Sequence, residues 1–217
     1  MLLAAATTEV VLGALVVIPM LIYRIKAKRW QRINLEYPKE SHETELMILL
    51  PIWNEGLVIE KKLADLNRDY SFKTSLLVID SASSDDSVEK VKQWLSDNKS
   101  AFFASQVIEM PERLGKTAAV KQAIESLDRQ SYTGLVLMTD ADALIDEGTI
   151  KRLHGWFVDP SIGAVGSRAI RQTKLHGEKH YRSLYHFLRV AESKRDSTPF
   201  LEGSCMIGVM EHFGQWT

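Results

Sequence analysis

The sequence predicts an α/β protein with a mostly parallel central sheet, preceded by one N-terminal helix long and apolar enough to cross a membrane. Three observations carry this. Short continuous apolar runs bounded by turn residues recur along the chain. Between them lie apolar residues at helical spacing. Ahead of both stands a segment almost free of charge. Strand-like and helix-like stretches alternate roughly every 25–30 residues, the rhythm of parallel strands joined by crossover helices.

The N-terminal segment, Leu2 to Tyr23, contains no Lys, Arg or Asp and one acid, Glu9. At about 1.5 Å per residue it makes a helix of roughly 33 Å, against roughly 30 Å of bilayer hydrocarbon. Arg24, Lys26, Lys28, Arg29 and Arg32 follow at once. Positive flanks stay in the cytoplasm, so the expectation is a single-pass membrane protein with its remaining chain cytoplasmic. A cleaved signal peptide would carry its basic residues before the apolar run, not after it. Trp30 to Thr44 is polar and mixed, with Pro38 inside it, and reads as a linker. The expected organisation is therefore an anchor with its basic flank over residues 1–29, a linker over 30–44 and a domain over 45–217.

Next come the strands. Leu46–Leu50 ends at Pro51, Leu76–Ile79 at Asp80, Leu135–Met138 at Thr139, and Ile162–Val165 at Gly166. Phe102–Ile108 is a more polar candidate. Unbroken apolar runs of this length suit strands buried on both faces. The helices between them show as stripes. Leu57, Ile59, Leu63 and Leu66 form one, and Val88, Val91, Trp94 and Leu95 the next. Ala119, Val120, Ala123, Ile124 and Leu127 form a third, and Ile150, Leu153 and Phe157 a fourth. Tyr181, Leu184, Tyr185 and Leu188 also have helical spacing and suggest core packing.

Composition narrows the function classes. The chain has 217 residues, 45% of them hydrophobic and 25% charged, which excludes a disordered chain or a coiled-coil rod. Lys and Arg number 27 against 28 Asp and Glu, so no basic excess points to nucleic acid. The single cysteine, Cys205, excludes a disulfide framework and a multi-cysteine zinc site, and reads as a buried small residue.

In open α/β sheets, ligands bind beyond the carboxyl ends of the strands. Three polar clusters follow three apolar runs: Pro51-Ile52-Trp53-Asn54-Glu55, Asp80 through Asp85, and Asp140-Ala141-Asp142. Helix capping and turn formation account for any one of them alone. Three in register favour a shared site. Asp140 and Asp142 are the sharpest signal. Two carboxylates one residue apart at a strand end suit Mg²⁺ or Mn²⁺, which take one or two carboxylates plus substrate phosphate oxygens.

Gly115-Lys116-Thr117 before a helix resembles the end of a P-loop, and Leu135–Asp140 resembles a Walker B strand. The P-loop needs a glycine five residues before Gly115, where this chain has Met110. A P-loop-like NTPase therefore stands as a minor alternative. The other reading places Lys116 as a cation near a diphosphate at a helix N-terminus.

Taken in order, Leu46–Glu55 (LMILLPIWNE), Val78–Asp86 (VIDSASSDD), Leu114–Val120 (LGKTAAV) and Met138–Asp142 (MTDAD) resemble the nucleotide-binding half of family 2 glycosyltransferases of GT-A fold. The resemblance covers about Glu45 to Gly214. It implies transfer of a sugar, with inversion, from a nucleoside-diphosphate sugar; for the acceptor, a glycan or a polyprenyl-phosphate-type lipid is expected, the lipid on the strength of the membrane anchor alone. It further implies that Pro51, Asn54, Glu55 and Asp80 line the nucleotide pocket and that Lys116 lies near the nucleotide or its diphosphate. Asp140 and Asp142 would hold Mg²⁺ or Mn²⁺, with Asp142 the first choice as ligand. Phe200-Leu201-Glu202-Gly203-Ser204 resembles the segment bordering the acceptor, which makes Gly203 a substrate-side residue.

Two departures qualify the resemblance. Many members carry two adjacent acids where this chain has Asp80-Ser81. The family's catalytic base usually follows a Gly/Trp-containing stretch resembling Phe213–Thr217, so the base is expected beyond Thr217 and the domain reads as C-terminally incomplete. The corresponding alternative is a truncated nucleotide-sugar-binding module without turnover. His176 and His180 are four apart, but Gly177 stands where H-E-x-x-H needs Glu, so they read as surface histidines. Arg168, Arg171 and Lys174 suggest either an acceptor-phosphate contact or a solvated basic face.

Overall fold

The structure, a computed structural model, describes residues 2–37, 43–170, 176–201 and 203–213. Pro38, Arg171, Lys174, Glu202 and the Gly214–Thr217 stretch lie outside the described residues, as do the side chains of His176 and His180. The chain divides into two compact units, residues 1–36 with 170–200, and residues 37–169 with 201–217.

In the first unit, helix α1 runs from Leu2 to Trp30 and packs on α6, His176–Arg195. The expected apolar helix stopped at Tyr23. It continues because Arg24, Lys26, Lys28 and Arg29 are good helix formers and no Gly or Pro intervenes. The chain turns only at Gln31 and Arg32. Ala27 on α1 and Ala191 on α6 are fully buried. The Tyr23 hydroxyl bonds the Glu192 carboxylate, Gln31 Nε2 donates to the Phe187 carbonyl at 2.8 Å, and Lys194 Nζ donates to the Gln31 carbonyl at 2.8 Å. Val10 to Ile25 nevertheless present their apolar side chains outward. On α6 the tyrosines depart from the expected core stripe, since Tyr181 is 57% and Tyr185 43% exposed. Arg189 sits over Tyr185 and over Phe200 instead, at 5.9 and 4.5 Å.

The second unit holds a six-stranded sheet: β1 Leu46–Ile52, β2 Thr74–Asp80, β3 Ser105–Glu109, β4 Leu135–Thr139, β5 Ala164–Gly166 and β6 Cys205–Val209. Their order is β3-β2-β1-β4-β6-β5. β1 pairs in parallel with β2 and β4, and β2 with β3; β6 runs antiparallel to β4 and β5. The mostly parallel sheet is thus as expected. β6 is the unforeseen strand, because Gly208 interrupts its short apolar run.

The alternating side chains of each central strand feed two cores. Ile48, Leu50, Ile52, Leu76, Val78, Leu135 and Leu137 face one side with Ile59, Leu63 and Leu66 of α2 (Ile59–Leu66) and Val91 of α3 (Ser87–Asp97). Ile150 and Leu153 of α5 (Thr149–Gly155) complete that side. Leu49, Leu77, Ile79 and Val136 face the other side with Ala119, Ala123, Ile124 and Leu127 of α4 (Lys116–Arg129) and Met210 of the short α7 (Met210–Phe213). Burial on both faces is why β1, β2 and β4 read as unbroken apolar runs. β3 is an edge strand, which explains its polar sequence and its start after Phe102. α2 begins at Ile59, so Leu57 falls outside its stripe and is 99% exposed.

Candidate functional site

The sheet reverses its winding at β1. β2 and β3 lie on one side, β4 on the other, and such a switch point opens a crevice beyond the carboxyl ends of the strands. The segments after β1, β2 and β4 meet there.

The loop after β1 begins later than expected. Pro51 and Ile52 belong to the strand and are buried, Pro51 pairing in register with Ile79. Pro51 therefore underlies the crevice. Asn54 sits in the left-handed region at φ 54°, which Asn tolerates. Its backbone N–H donates to Ser83 Oγ at 2.8 Å, and its side-chain carbonyl accepts from the Ser84 N–H at 2.8 Å. Asp80, 3% exposed, accepts from the Ser83 N–H at 2.9 Å. Glu55 N–H donates to Ser87 Oγ at 2.7 Å, and Gly56 N–H to Asp85 Oδ2 at 3.0 Å. These bonds lash the β1 and β2 loops together. The capping reading fails for α2, whose N-cap is Val58, and Asp86 at the N-cap of α3 makes no side-chain cap. Asp85 accepts from the Ser87 N–H at 3.1 Å instead. Ser81, where the family often has a second acid, is buried, and its hydroxyl finds no partner among the described residues.

Charge gathers at the mouth. Asp140 follows β4 directly and pairs with Lys116, the first residue of α4. Asp142 is exposed on the same loop. Burial holds the Glu55 carboxyl above the usual range, and the Asp142, Asp140 and Asp85 carboxylates push it further the same way. The structure thus brings Glu55, Lys116, Asp140 and Asp142 into one field. Gly203 lies against Met138 at the end of β4, and the Ser204 carbonyl accepts from Thr139 Oγ1 at 2.9 Å.

Two contributors escaped sequence reasoning. The Arg113 guanidinium lies 3.3 Å from the centroid of the Trp53 ring, joining the loop before α4 to the loop after β1. Lys62, fully buried on the apolar face of α2, donates to Thr139 Oγ1 at 2.9 Å and to the Ala143 carbonyl. Burial pulls its pKa down, opposed by nearby Asp65. Its position between Ile59 and Leu66 on the stripe was the available signal.

The donor set fits a hard divalent cation. Asp140 and Asp142 follow β4, and after burial their charges add to the upward push on the Glu55 carboxyl of the loop after β1. Among the described residues no three His, Cys, Asp or Glu side chains form a metal cage of their own. Mg²⁺ or Mn²⁺ takes one or two carboxylates and completes its shell with phosphate or water oxygens, a demand that Asp140 and Asp142 could meet.

The opposite end of the sheet is chemically poorer. A depression of about 570 Å³ there is lined by Lys121, Glu125, Asp128, Tyr132, Met210 and Glu211, among others. β6 runs against β4, so Met210 bonds Gly134 at the start of β4, and Glu211 lies far from Asp140 along the sheet.

Residues 47–215 match the family described as Glycosyl transferase family 2. The chain is 31% identical over 120 residues to an N-acetylglucosaminyltransferase of Rhizobium sp. (strain N33), a match covering 54% of this chain and 25% of that protein. Among solved structures, the mannosyltransferase PcManGT from Pyrobaculum calidifontis, in complex with GDP-Man and Mn²⁺, is 30% identical with a TM-score of 0.75, covering 98% of this chain and 57% of its own. Glucosyl-3-phosphoglycerate synthase from Mycobacterium tuberculosis, in complex with Mn²⁺, UDP-Glc and phosphoglyceric acid, shares the fold at 21% identity and a TM-score of 0.51, over 77% of this chain and 57% of that one. The present chain thus spans little more than half of the solved relatives and a quarter of the curated one.

Proposed function

The chain belongs to glycosyl transferase family 2, and on that footing we propose that it moves a sugar from a nucleoside-diphosphate sugar to a hydroxyl or lipid-phosphate acceptor at a membrane, with inversion. Its α/β fold is GT-A, with a mostly parallel sheet. The family also displaces the P-loop NTPase alternative. The single observation that carries the reading is the convergence of Glu55, Lys116, Asp140 and Asp142 at the switch point between β1 and β4. The Mn²⁺ in the PcManGT complex supports a divalent metal here.

Each residue has a task in this reading. Asp140 and Asp142 would hold Mg²⁺ or Mn²⁺, and the bound cation would offset charge on the departing diphosphate. Lys116 meets the same diphosphate, aided by the partial positive charge at the start of α4. Trp53 offers a flat face at the crevice, already covered on one side by Arg113. The Asn54, Asp80 and Ser83 bonds hold the β1 and β2 loops in shape beside it. Gly203 borders the acceptor side. Glu211 stands at the wrong end of the sheet to take a proton from an acceptor hydroxyl.

The membrane part rests on α1. Glu9–Trp30 is long and apolar enough to span a bilayer. Its outward-facing apolar side chains are unlike those of a core helix. Arg24, Lys26, Lys28 and Arg29 support a cytoplasmic catalytic domain.

Calorimetric titration of the full chain with UDP, GDP and ATP, each with and without Mn²⁺, tests the reading. Mn²⁺-dependent binding of UDP or GDP that Asp142→Ala abolishes is the expected result. Asp142 is exposed, so that variant keeps its melting temperature. Preference for ATP, or no nucleotide binding by the folded chain, would overturn it. Binding without sugar transfer would favour the nucleotide-sugar-binding module.

A further inference from the structure

Lys62 is the largest fully buried polar side chain of the described residues, and it has no place in the transfer chemistry itself. Taking an ammonium out of water is costly unless its hydrogens are satisfied, and an aliphatic side chain would fill the same space without that cost. Its contacts show what the charge does. Lys62 Nζ donates to Thr139 Oγ1 at 2.9 Å and to the carbonyl of Ala143. Thr139 is the last residue of β4, and Ala143 follows Asp142 directly. One ammonium therefore grips both ends of the segment that carries Asp140 and Asp142.

The grip extends along α2. Asp65, one turn on and 3.8 Å from Lys62, accepts from the Ile145 N–H at 3.1 Å. Arg68, two residues past the end of α2, pairs with Asp65 and donates to the carbonyls of Ile145 and, at 3.0 Å, Asp146. Lys62 and Asp65 on one face of α2, with Arg68 just beyond its end, thus hold consecutive points of the loop after β4. Ala141 and Ile145 are buried against the core, while Asp142 is left outside. On the other flank, Thr139 passes its own hydroxyl hydrogen to the Ser204 carbonyl at 2.9 Å.

We propose that Lys62 is a positioning residue for the metal-binding loop, its ammonium fixing the spacing at which Asp140 and Asp142 meet a divalent cation. This rests on the nucleotide-sugar reading of the same site. Groups that orient metal ligands without touching the metal typically govern affinity by roughly 10–100-fold. A purely structural residue would instead lower stability and leave the metal's contribution to binding unchanged.

The test compares the full chain with Lys62→Met, Thr139→Val and Ile59→Val, the last a packing change on the same helix. UDP and GDP are titrated with and without Mn²⁺, and each melting temperature is recorded. Mn²⁺-dependent affinity should fall roughly tenfold or more in Lys62→Met and severalfold in Thr139→Val, with metal-free affinity unchanged. Ile59→Val should lower the melting temperature and leave both affinities alone. Mn²⁺-dependent affinity within about twofold of the unaltered chain, or equal losses with and without Mn²⁺, would overturn the proposal. If Lys62→Met does not fold, Thr139→Val decides by the same criteria. An unaltered chain whose nucleotide binding ignores both Mn²⁺ and Asp142→Ala would sink the underlying functional reading instead, a distinct outcome.

Discussion

The Lys116 ammonium, at the first turn of α4, is ion-paired with the Asp140 carboxylate at the end of β4. The pair is half exposed on the lysine side, and exposed pairs contribute only about 0.2–1 kcal/mol. A divalent cation on Asp140 would compete with Lys116 and free it for phosphate. Lys116→Met should therefore split two affinities. Binding of Mn²⁺ alone strengthens by up to about fivefold, as a competing cation is removed. Mn²⁺-dependent nucleotide binding weakens by about tenfold or more, since a charged hydrogen bond contributes about 1.5–3 kcal/mol. Paired titrations with Mn²⁺ and with Mn²⁺ plus UDP or GDP read both. Changes of the same sign would refute the exchange.

Glu55 sets a pH dependence. Burial, then Asp142, Asp140 and Asp85, raise its folded pKa above the unfolded value of about 4.3. Between those two values the folded state keeps a proton that the unfolded state has lost. Stability therefore falls as pH rises through that window and levels off above it. A bound cation favours the ionised carboxyl, so Mn²⁺-dependent nucleotide affinity should climb through the folded pKa and then flatten. Glu55→Gln should remove both trends and raise the melting temperature at neutral pH. Binding isotherms and melts across about pH 4.5–8 check this.

Gly134 separates fold from site. A Cβ there would lie 2.3 Å from Tyr132 Oη and 2.6 Å from the Glu45 carbonyl oxygen. The carbonyl is backbone at the start of the sheet and cannot step aside. Gly134→Ala should cost about 1–3 kcal/mol, as overpacking does, and lower the melting temperature by about 2–4 °C per kcal/mol. It lies at the amino end of β4, opposite the crevice, so nucleotide affinity of the folded fraction should not move.

Helix α1 is more than a tether, because it forms a compact unit with residues 170–200. Deleting residues 1–36 should bare the side of α6 that holds Ala191 and Phe187, and yield a chain that elutes as aggregate. The full chain, in contrast, should sediment with membranes, resist alkaline carbonate and elute as one species in detergent. A monodisperse soluble product from the deletion would contradict this account.

Much of the fold was legible in the sequence, and the reasons differ by element. β1, β2 and β4 announce themselves because both faces are buried, so no polar alternation interrupts them. Their ends were less clear. Pro51 reads as a breaker, yet it pairs inside β1, since its missing N–H falls near the strand's end. Asp140 and Asp142 were legible because they follow an apolar run directly. Lys62 was not, because a lysine among Ile59, Leu63 and Leu66 reads as solvated until its acceptors on β4 are known. Those acceptors are far off in sequence and belong to topology. The exposed tyrosines of α6 failed the core reading for a related reason. Spacing reveals which residues share a face, not what that face meets.

The placement of β6 bears on how the chain is made. The strand lies between β4 and β5, although both are synthesised before it. A nascent chain that has emerged only as far as β5 therefore has β4 with one edge open and β5 with no place in the sheet. Open edges of this kind invite pairing with other chains. The arriving Cys205–Val209 closes that gap and, through the Ser204 carbonyl, seats Thr139. The aspartate loop thus acquires its final support in the same event that completes the sheet. A chain stalled before Cys205 would therefore be a candidate for aggregation rather than a weaker version of the protein.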